Sequence, residues 1–257
     1  KAANKIRSFE GGDTIYEIDL DEDGVKEELS FKLVYDKDDY YSYLVTVNGE
    51  TVTIADELYD IYDAYVQIAD IDVTDGYMDL WFYGIGTSDI LGYAALYQYQ
   101  NGELVELHRM EPEEVDERFF LGNGVLHKVK GDGRFFVKME SAFWVDDLIG
   151  NHYDLIPMKL EDGEVSFVKT KTYTIANIYN EKNQITLAPG MTEFYKKPSE
   201  DAKIAFVGRR WEKVRPIKIR RSEGTLYVKF KSENGKSGWL CVDDYDMGPF
   251  TDLIWVG

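Results

Sequence analysis

The chain of 257 residues has one cysteine, six prolines and three histidines. A lone thiol, Cys241, excludes an intrachain disulfide and any site built from a thiol pair or a zinc cysteine cluster. His108, His127 and His152 lack metal-ligand spacing such as His-Glu-x-x-His, and neither a Gly-x-Ser-x-Gly elbow nor a phosphate-cradling glycine loop occurs. No apolar run approaches the roughly 18 residues that span a bilayer, so no transmembrane segment is predicted. The start, Lys1-Ala2-Ala3-Asn4-Lys5, has no initiating Met or apolar signal core, and a trimmed or mature form is expected.

Positive charge is also scarce. Lys and Arg total 29 against 48 Asp and Glu, for a net charge of -19. Residues 1–180 hold 15 Lys and Arg against 37 acids, or -22, whereas residues 181–257 hold 14 against 11, or +3. Affinity for nucleic acid comes largely from neutralising phosphates, so the acidic part is excluded from that role and no nucleic-acid partner is expected. The basic part stays open to anionic partners. The same asymmetry predicts two domains, 1–180 and 181–257.

What is abundant is aromatic: 19 Tyr and 13 Phe favour strands. Thr14–Ile18 and the alternating Leu29, Phe31, Leu33 and Tyr35 read as strands on either side of an acidic turn. Tyr41–Val47 and Thr51–Ile54 flank Asn48-Gly49, a pair suited to a two-residue hairpin turn. The order then repeats: Ala64–Ala69, an acidic turn, Leu80–Tyr83, Leu91–Tyr99, and Asn101-Gly102. A fainter third copy places Gly131-Asp132-Gly133 before Arg134–Met139, with Asp162-Gly163 as its later turn. Spacings of this size fit sheet arrays. Asp56–Asp63 and Glu111–Phe119 are expected to be short helical or irregular insertions, the latter from its Pro and acids at a first turn.

The first turn, Asp19-Leu20-Asp21-Glu22-Asp23-Gly24-Val25-Lys26-Glu27, spaces oxygens as a hard cation requires. Asp19, Asp21 and Asp23, the Val25 carbonyl and Glu27 or Glu28 are the candidate calcium ligands. An EF-hand would carry Glu at the twelfth position, where Ser30 stands, and the flanks alternate like strands. In the second turn Asp70, Asp72, Asp75 and Asp79 are the candidates, with Thr74 at the fifth place. A metal-free acidic turn is the alternative for each loop, and Gly131-Asp132-Gly133 reads as a plain turn.

These loops, each followed by an acid and then Leu, resemble the repeats of FG-GAP or VCBS-type β-propellers over about residues 13–170. The resemblance implies structural calcium in propeller-like blades of an exported recognition protein, here as an incomplete or open array. The tail has a second resemblance. Phe194 to Ile204, Val207-Gly208, Val214 to Ile219, Leu226 to Phe230 and Gly235-Lys236-Ser237-Gly238-Trp239 are similar to a bacterial SH3 (SH3b) domain over about residues 186–245. That family implies a small β-barrel for cell-wall or peptide binding, without catalysis. Its usual glycine before the Val214 strand is replaced by Arg210-Trp211.

In the tail, Val214, Ile217 and Ile219 are predicted to face the core, leaving Lys213, Arg215, Lys218 and Arg220 as a basic exterior able to attract an anionic polymer; a solvated strand face and docking against the acidic repeats of the same chain are the alternatives. Tyr195, Trp211 and Trp255 are candidates for an exposed platform, and Trp239 and Tyr227 for core aromatics. The candidate ligand-binding set is Tyr195, Trp211, Arg215, Lys218 and Arg220. The expectation is an all-β, noncatalytic protein, extracellular or envelope-associated by family resemblance, that binds a cell-wall glycan, an anionic wall polymer or a peptide. The alternatives are a wall-directed hydrolase using paired acids or Cys241, and a scaffold whose tail caps the repeats.

Overall fold

A computed structural model describes residues 5–36, 40–86, 91–110, 124–140, 152–178, 183–199, 201–222, 225–242 and 249–251, with backbone alone at 91, 92, 221 and 222. Among the described residues the chain forms twenty strands and no helix, in antiparallel ladders, and no sheet closes into a barrel. It divides into two compact units, Lys1–Met139 with Pro157–Val168 and Glu140–Ile156 with Lys169–Gly257.

The first unit is built from four-stranded meanders. β2 (Tyr16–Ile18), β3 (Glu27–Tyr35), β4 (Tyr40–Val47) and β5 (Glu50–Tyr59) pair in order. β6 (Ile61–Ala69), β7 (Asp79–Gly86), β8 (Leu91–Gln100) and β9 (Glu103–Arg109) do the same, with β1 (Arg7–Glu10) added on the free side of β6. β10 (Val125–Val129), β11 (Arg134–Glu140), β12 (His152–Glu161) and β13 (Glu164–Phe167) give a third run in the same order, β12 contributing 157–161 to this unit and 152–156 to the other.

Each meander places its landmarks alike. The acidic turn joins strands one and two, at 19–26, 70–78 and 130–133. The later turn joins strands three and four, where Asn48, Asn101 and Asp162 take φ of 50°, 53° and 53° ahead of glycines at 84°, 88° and 79°. Successive positive φ values match the twist of a tight hairpin and explain the Asn-Gly and Asp-Gly pairs. The segment 56–63, expected to be helical or irregular, is instead the β5–β6 hairpin. Asp60, at φ 55°, makes the bend there, so its alternating residues serve two strands. Glu111–Phe119 lies outside the described residues.

The second meander is covered on both faces. Leu80 and Phe82 enter a core with Leu29, Phe31, Tyr43 and Val45, where the Phe82 ring meets Tyr43 edge-on at 5.8 Å. On the opposite face Trp81 meets Phe135 edge-on at 6.4 Å and donates its indole N–H to Gly124 O at 2.7 Å. Gln67 binds the Leu126 N–H and C=O at 2.7 and 3.1 Å, satisfying a buried backbone pair. Burial on both faces is why β7 reads Leu-Trp-Phe-Tyr without alternation.

In the second unit β14 (Tyr173–Ile178) pairs residues 152–155 of β12 on one side and β18 (Lys213–Ser222) on the other. β18 continues to β19 (Thr225–Ser232) and β20 (Ser237–Cys241), then to β16 (Thr192–Tyr195) and β17 (Ile204–Gly208); β15 (Ile185–Thr186) also pairs β18. The boundary expected at 180 thus falls inside this unit, because β14 hydrogen-bonds into the same sheet as the tail. The core stacks Phe194 on Phe206 at 4.4 Å with Phe230 edge-on at 5.7 Å. A Cβ on Gly238 would lie 2.7 Å from Phe194 Cβ, which accounts physically for the glycine of the Gly-Trp pair.

Candidate functional site

Three regions bear on function: two acidic loops in the first unit and the exterior of β18 and β19 in the second. The loops share one anchor. Glu27, buried, accepts the Leu20 N–H on Oε2 at 2.7 Å, and Asp79, buried, accepts the Ile71 N–H on Oδ2 at 2.7 Å. Glu27 and Asp79 are therefore structural equivalents, and each holds the residue after the first aspartate, Leu20 or Ile71, fully buried. The register between the two copies follows from this bond.

Beyond the anchor the loops diverge. In the first, Asp19, Asp21 and Glu27 bring one oxygen each to within 4.8 Å of one another, and among the described residues this is the cluster that can hold a metal ion. Asp19 Oδ1 is buried with no hydrogen-bond partner there, an atom for which a cation is the natural partner. Glu27 is held above the usual carboxyl range by burial and by the charges of Asp21 and Asp23, against the pull of the Leu20 N–H. Asp23 turns elsewhere, accepting the Val25 N–H on Oδ1 at 2.6 Å. Asp19, Asp21 and Glu27 are an oxygen donor set of the kind a hard cation takes.

In the second loop the carboxylates of Asp72, Asp75 and Asp79 already have partners. Asp72 Oδ1 accepts both the N–H and the hydroxyl of Thr74, at 3.0 and 2.7 Å, and Asp75 Oδ1 accepts the Tyr77 N–H at 3.0 Å. Gln98 Nε2 stands 2.9 Å from both Asp75 Oδ2 and Asp79 Oδ1. A side-chain amide thus bridges the two acids a cation would otherwise bridge. Burial, then the nearby charges of Asp75 and Asp70, push Asp79 up to about 8 against the opposing bonds from Ile71 and Gln98. The extra residue before Gly76 gives Asp75 its reach to Gln98, and Gln98 itself lies on β8, beyond any loop motif. At the third turn the Arg134 guanidinium pairs with Asp132, and a Cβ on Gly133 would sit 2.2 Å from Leu160 O.

On β18 the structure buries Val214, Pro216 and Ile219 and leaves Ile217 half-buried. The prediction of Ile217 in the core fails because a bulge between Pro216 and Lys218 inserts one residue and shifts the alternation. Across the ladder Arg215 stands opposite Lys231 and Lys218 opposite Lys229. Lys229 stands opposite Trp239, which is opposite Tyr195. One row therefore carries Lys218, Lys229, Trp239 and Tyr195 over four strands, with the Lys229 ammonium 5.9 Å from the Trp239 ring centre. Directly opposed like charges oppose sheet formation. Among the described residues no carboxylate pairs with Arg215, Lys218, Lys229 or Lys231.

Of the other candidates, Arg220 lies opposite Tyr227, and its buried Nε has no hydrogen-bond partner among the described residues. Trp211 lies in the β17–β18 turn rather than in the row, 52% exposed, at φ 64°, with the Arg210 guanidinium 5.1 Å from its ring. It occupies the left-handed conformation that the missing glycine would take without strain. Trp255 lies outside the described residues. Trp239 is buried as expected, while Tyr227 is only half-buried. Lys229 and Lys231 escaped the sequence reading, although their alternation with Leu226, Val228 and Phe230 was the signal for them.

His152 and Asp154 are buried, with Nε2 and Oδ2 3.5 Å apart, and Cys241 is buried on β20. A groove of about 610 Å³ runs along Phe9, Ile15 and Tyr16, but its charges are mixed, with Lys26 3.8 Å from Glu17. No family model, curated protein or solved structure matches the chain.

Proposed function

We propose that this is a noncatalytic recognition protein of the bacterial cell envelope, in which the β18–β19 exterior takes an anionic wall polymer and the acidic repeats form a braced platform. The observation that carries the reading is the pair of opposed cation pairs, Arg215 with Lys231 and Lys218 with Lys229. A chain with 48 acids leaves these cations without a carboxylate among the described residues. The arrangement costs stability in the free protein and is recovered when phosphate or carboxylate groups arrive. Tyr195, half-buried, adds a ring to the same row, packed beside the buried Trp239.

The three meanders, with their acidic turn after the first strand, support an open, propeller-like array of the FG-GAP or VCBS kind. The five-strand run β16 to β20, with its Gly-Trp closure, supports an SH3b-like reading of the tail. Calcium at Asp19, Asp21 and Glu27 braces the first loop, and Gln98 does so in the second. The protein would then act outside the cell membrane.

Co-sedimentation of the full chain with purified bacterial cell walls tests this. The expected result is retention that falls steeply with salt and is lost in Lys229→Glu/Lys231→Glu. Failure of the wild-type chain to sediment with walls at low salt would overturn the proposal.

A further inference from the structure

We infer that a slot between β14 and β18 is a binding site for a single phosphate group, and that it seats one phosphate of the polymer drawn to the basic face; the inference thus rests on the function proposed above. β14 pairs with β18 only at Tyr173 and Thr174, opposite Ile219 and Lys218. β15 pairs with β18 only at Ile185 and Thr186, opposite Val214 and Lys213. Between these two short ladders, Arg215, Pro216 and Ile217 have no strand partner on that side among the described residues, and the sheet opens into a cavity of about 170 Å³. The β18 bulge falls at the same three residues, so the gap is a feature of the strand's register and not a frayed end.

The lining is chemically one-sided. Thr174, Asn177, Asn183 and Arg215 line it with a hydroxyl, two amides and a guanidinium, and among the described residues no acid lines the cavity. Asn183 holds its place by accepting the Ile178 N–H on Oδ1 at 2.8 Å, which leaves its amide NH2 as a donor. Asn177 makes no side-chain hydrogen bond among the described residues. A guanidinium with amide and hydroxyl donors is the chemistry that recognises a phosphate oxygen cluster. The volume is that of about five or six waters, enough for one phosphate group and too little for a chain of them. Arg215 also stands opposite Lys231, so the slot opens beside the unpaired cations, and a polymer held there can present one of its groups to it.

The test is calorimetric titration of the full chain with two probes, glycerol 1-phosphate and poly(glycerol phosphate), in wild type, Arg215→Lys, Asn177→Asp and Lys229→Glu/Lys231→Glu. Melting curves confirm that each variant folds. The expected result is that Arg215→Lys, which keeps the charge but loses the fork, and Asn177→Asp, which adds an acid, each weaken glycerol 1-phosphate at least tenfold. Lys229→Glu/Lys231→Glu should instead weaken mainly the polymer. Polymer binding that is lost in the double variant but unchanged in Arg215→Lys and Asn177→Asp would overturn the slot and leave the basic face standing. Slot-dependent binding of glycerol 1-phosphate with no polymer binding would sustain the slot and overturn the wider reading. If Asn177→Asp fails to fold, Asn177→Leu fills the slot without charge, and unchanged affinity for glycerol 1-phosphate in that variant also overturns the site.

Discussion

The acidic loops of the first unit and the basic face of the second handle charge in opposite ways. In the loops, carboxylates are turned onto their own backbone: Glu27 onto Leu20, Asp79 onto Ile71, Asp75 onto Tyr77 and Asp72 onto Thr74. On β18 and β19, cations face cations across the ladder with no acid between them among the described residues. The first arrangement offsets part of the desolvation of each buried carboxylate with backbone hydrogen bonds, and the second leaves like charges opposed. On the proposed function the loops are architecture, and the basic face is the part whose charge serves something outside the chain.

The largest expected effect would break that contrast from the basic side. Lys229→Glu/Lys231→Glu turns two repulsive cross-strand pairs into attractive ones. It should lower polymer affinity by about 100-fold at low salt, as phosphate contacts are lost. The same variant should raise stability by about 0.5–2 kcal/mol, the reversal of two like-charge pairs, measured by denaturant unfolding. Loss of binding together with a gain in stability separates a functional face from a merely solvated one. A fall in both would mean that the lysines hold the sheet together.

On the architectural side, Gly133→Ala forces a Cβ to within 2.2 Å of Leu160 O at φ 79° and should cost on the order of 3 kcal/mol in denaturant unfolding. Gln98→Leu leaves Asp75 and Asp79 without their shared donor and should cost about 2 kcal/mol. Asp79 also sets a pH dependence. Its folded-state value, about 8, lies above the ordinary 3.8, so the folded state holds the proton more tightly than the unfolded chain. That contribution is complete below about 4 and is lost as pH rises through about 8. Asp79→Asn should flatten this part of the stability curve.

The two loops can also be set against each other. Calcium at about one hundred times its Kd should stabilise the wild-type chain by about 2.7 kcal/mol. Asp21→Ala should abolish the gain, whereas Asp72→Ala should leave it in place, because Gln98 already bridges the second loop. A calcium stoichiometry of two per chain would contradict the assignment of Gln98. The smallest effect belongs to Trp211→Gly, which relieves a left-handed residue and should raise stability by about 1 kcal/mol.

Much of the fold was legible because it is local. Asn48-Gly49, Asn101-Gly102 and Asp162-Gly163 marked the same hairpin in three copies, and alternation located β3 and β4. The divergence of the acidic loops was not legible, because Gln98 sits 19 residues after Asp79 and reaches it only through the β7–β8 ladder. Nor was the Pro216–Lys218 bulge, which the residue types do not announce and which moved Ile217 outward and opened the slot. The basic face was half legible: the β18 cations stood out as a run, whereas the opposing lysines of β19 acquire meaning only from the register.

Hydrogen exchange on the full chain, with and without poly(glycerol phosphate), tests the central claim most directly, since it reports where the polymer sits without altering a residue. The account predicts new protection concentrated in residues 213–222 and 225–232, with the loops at 19–27 and 70–79 unchanged. Protection confined to those acidic loops, or none anywhere, would contradict it.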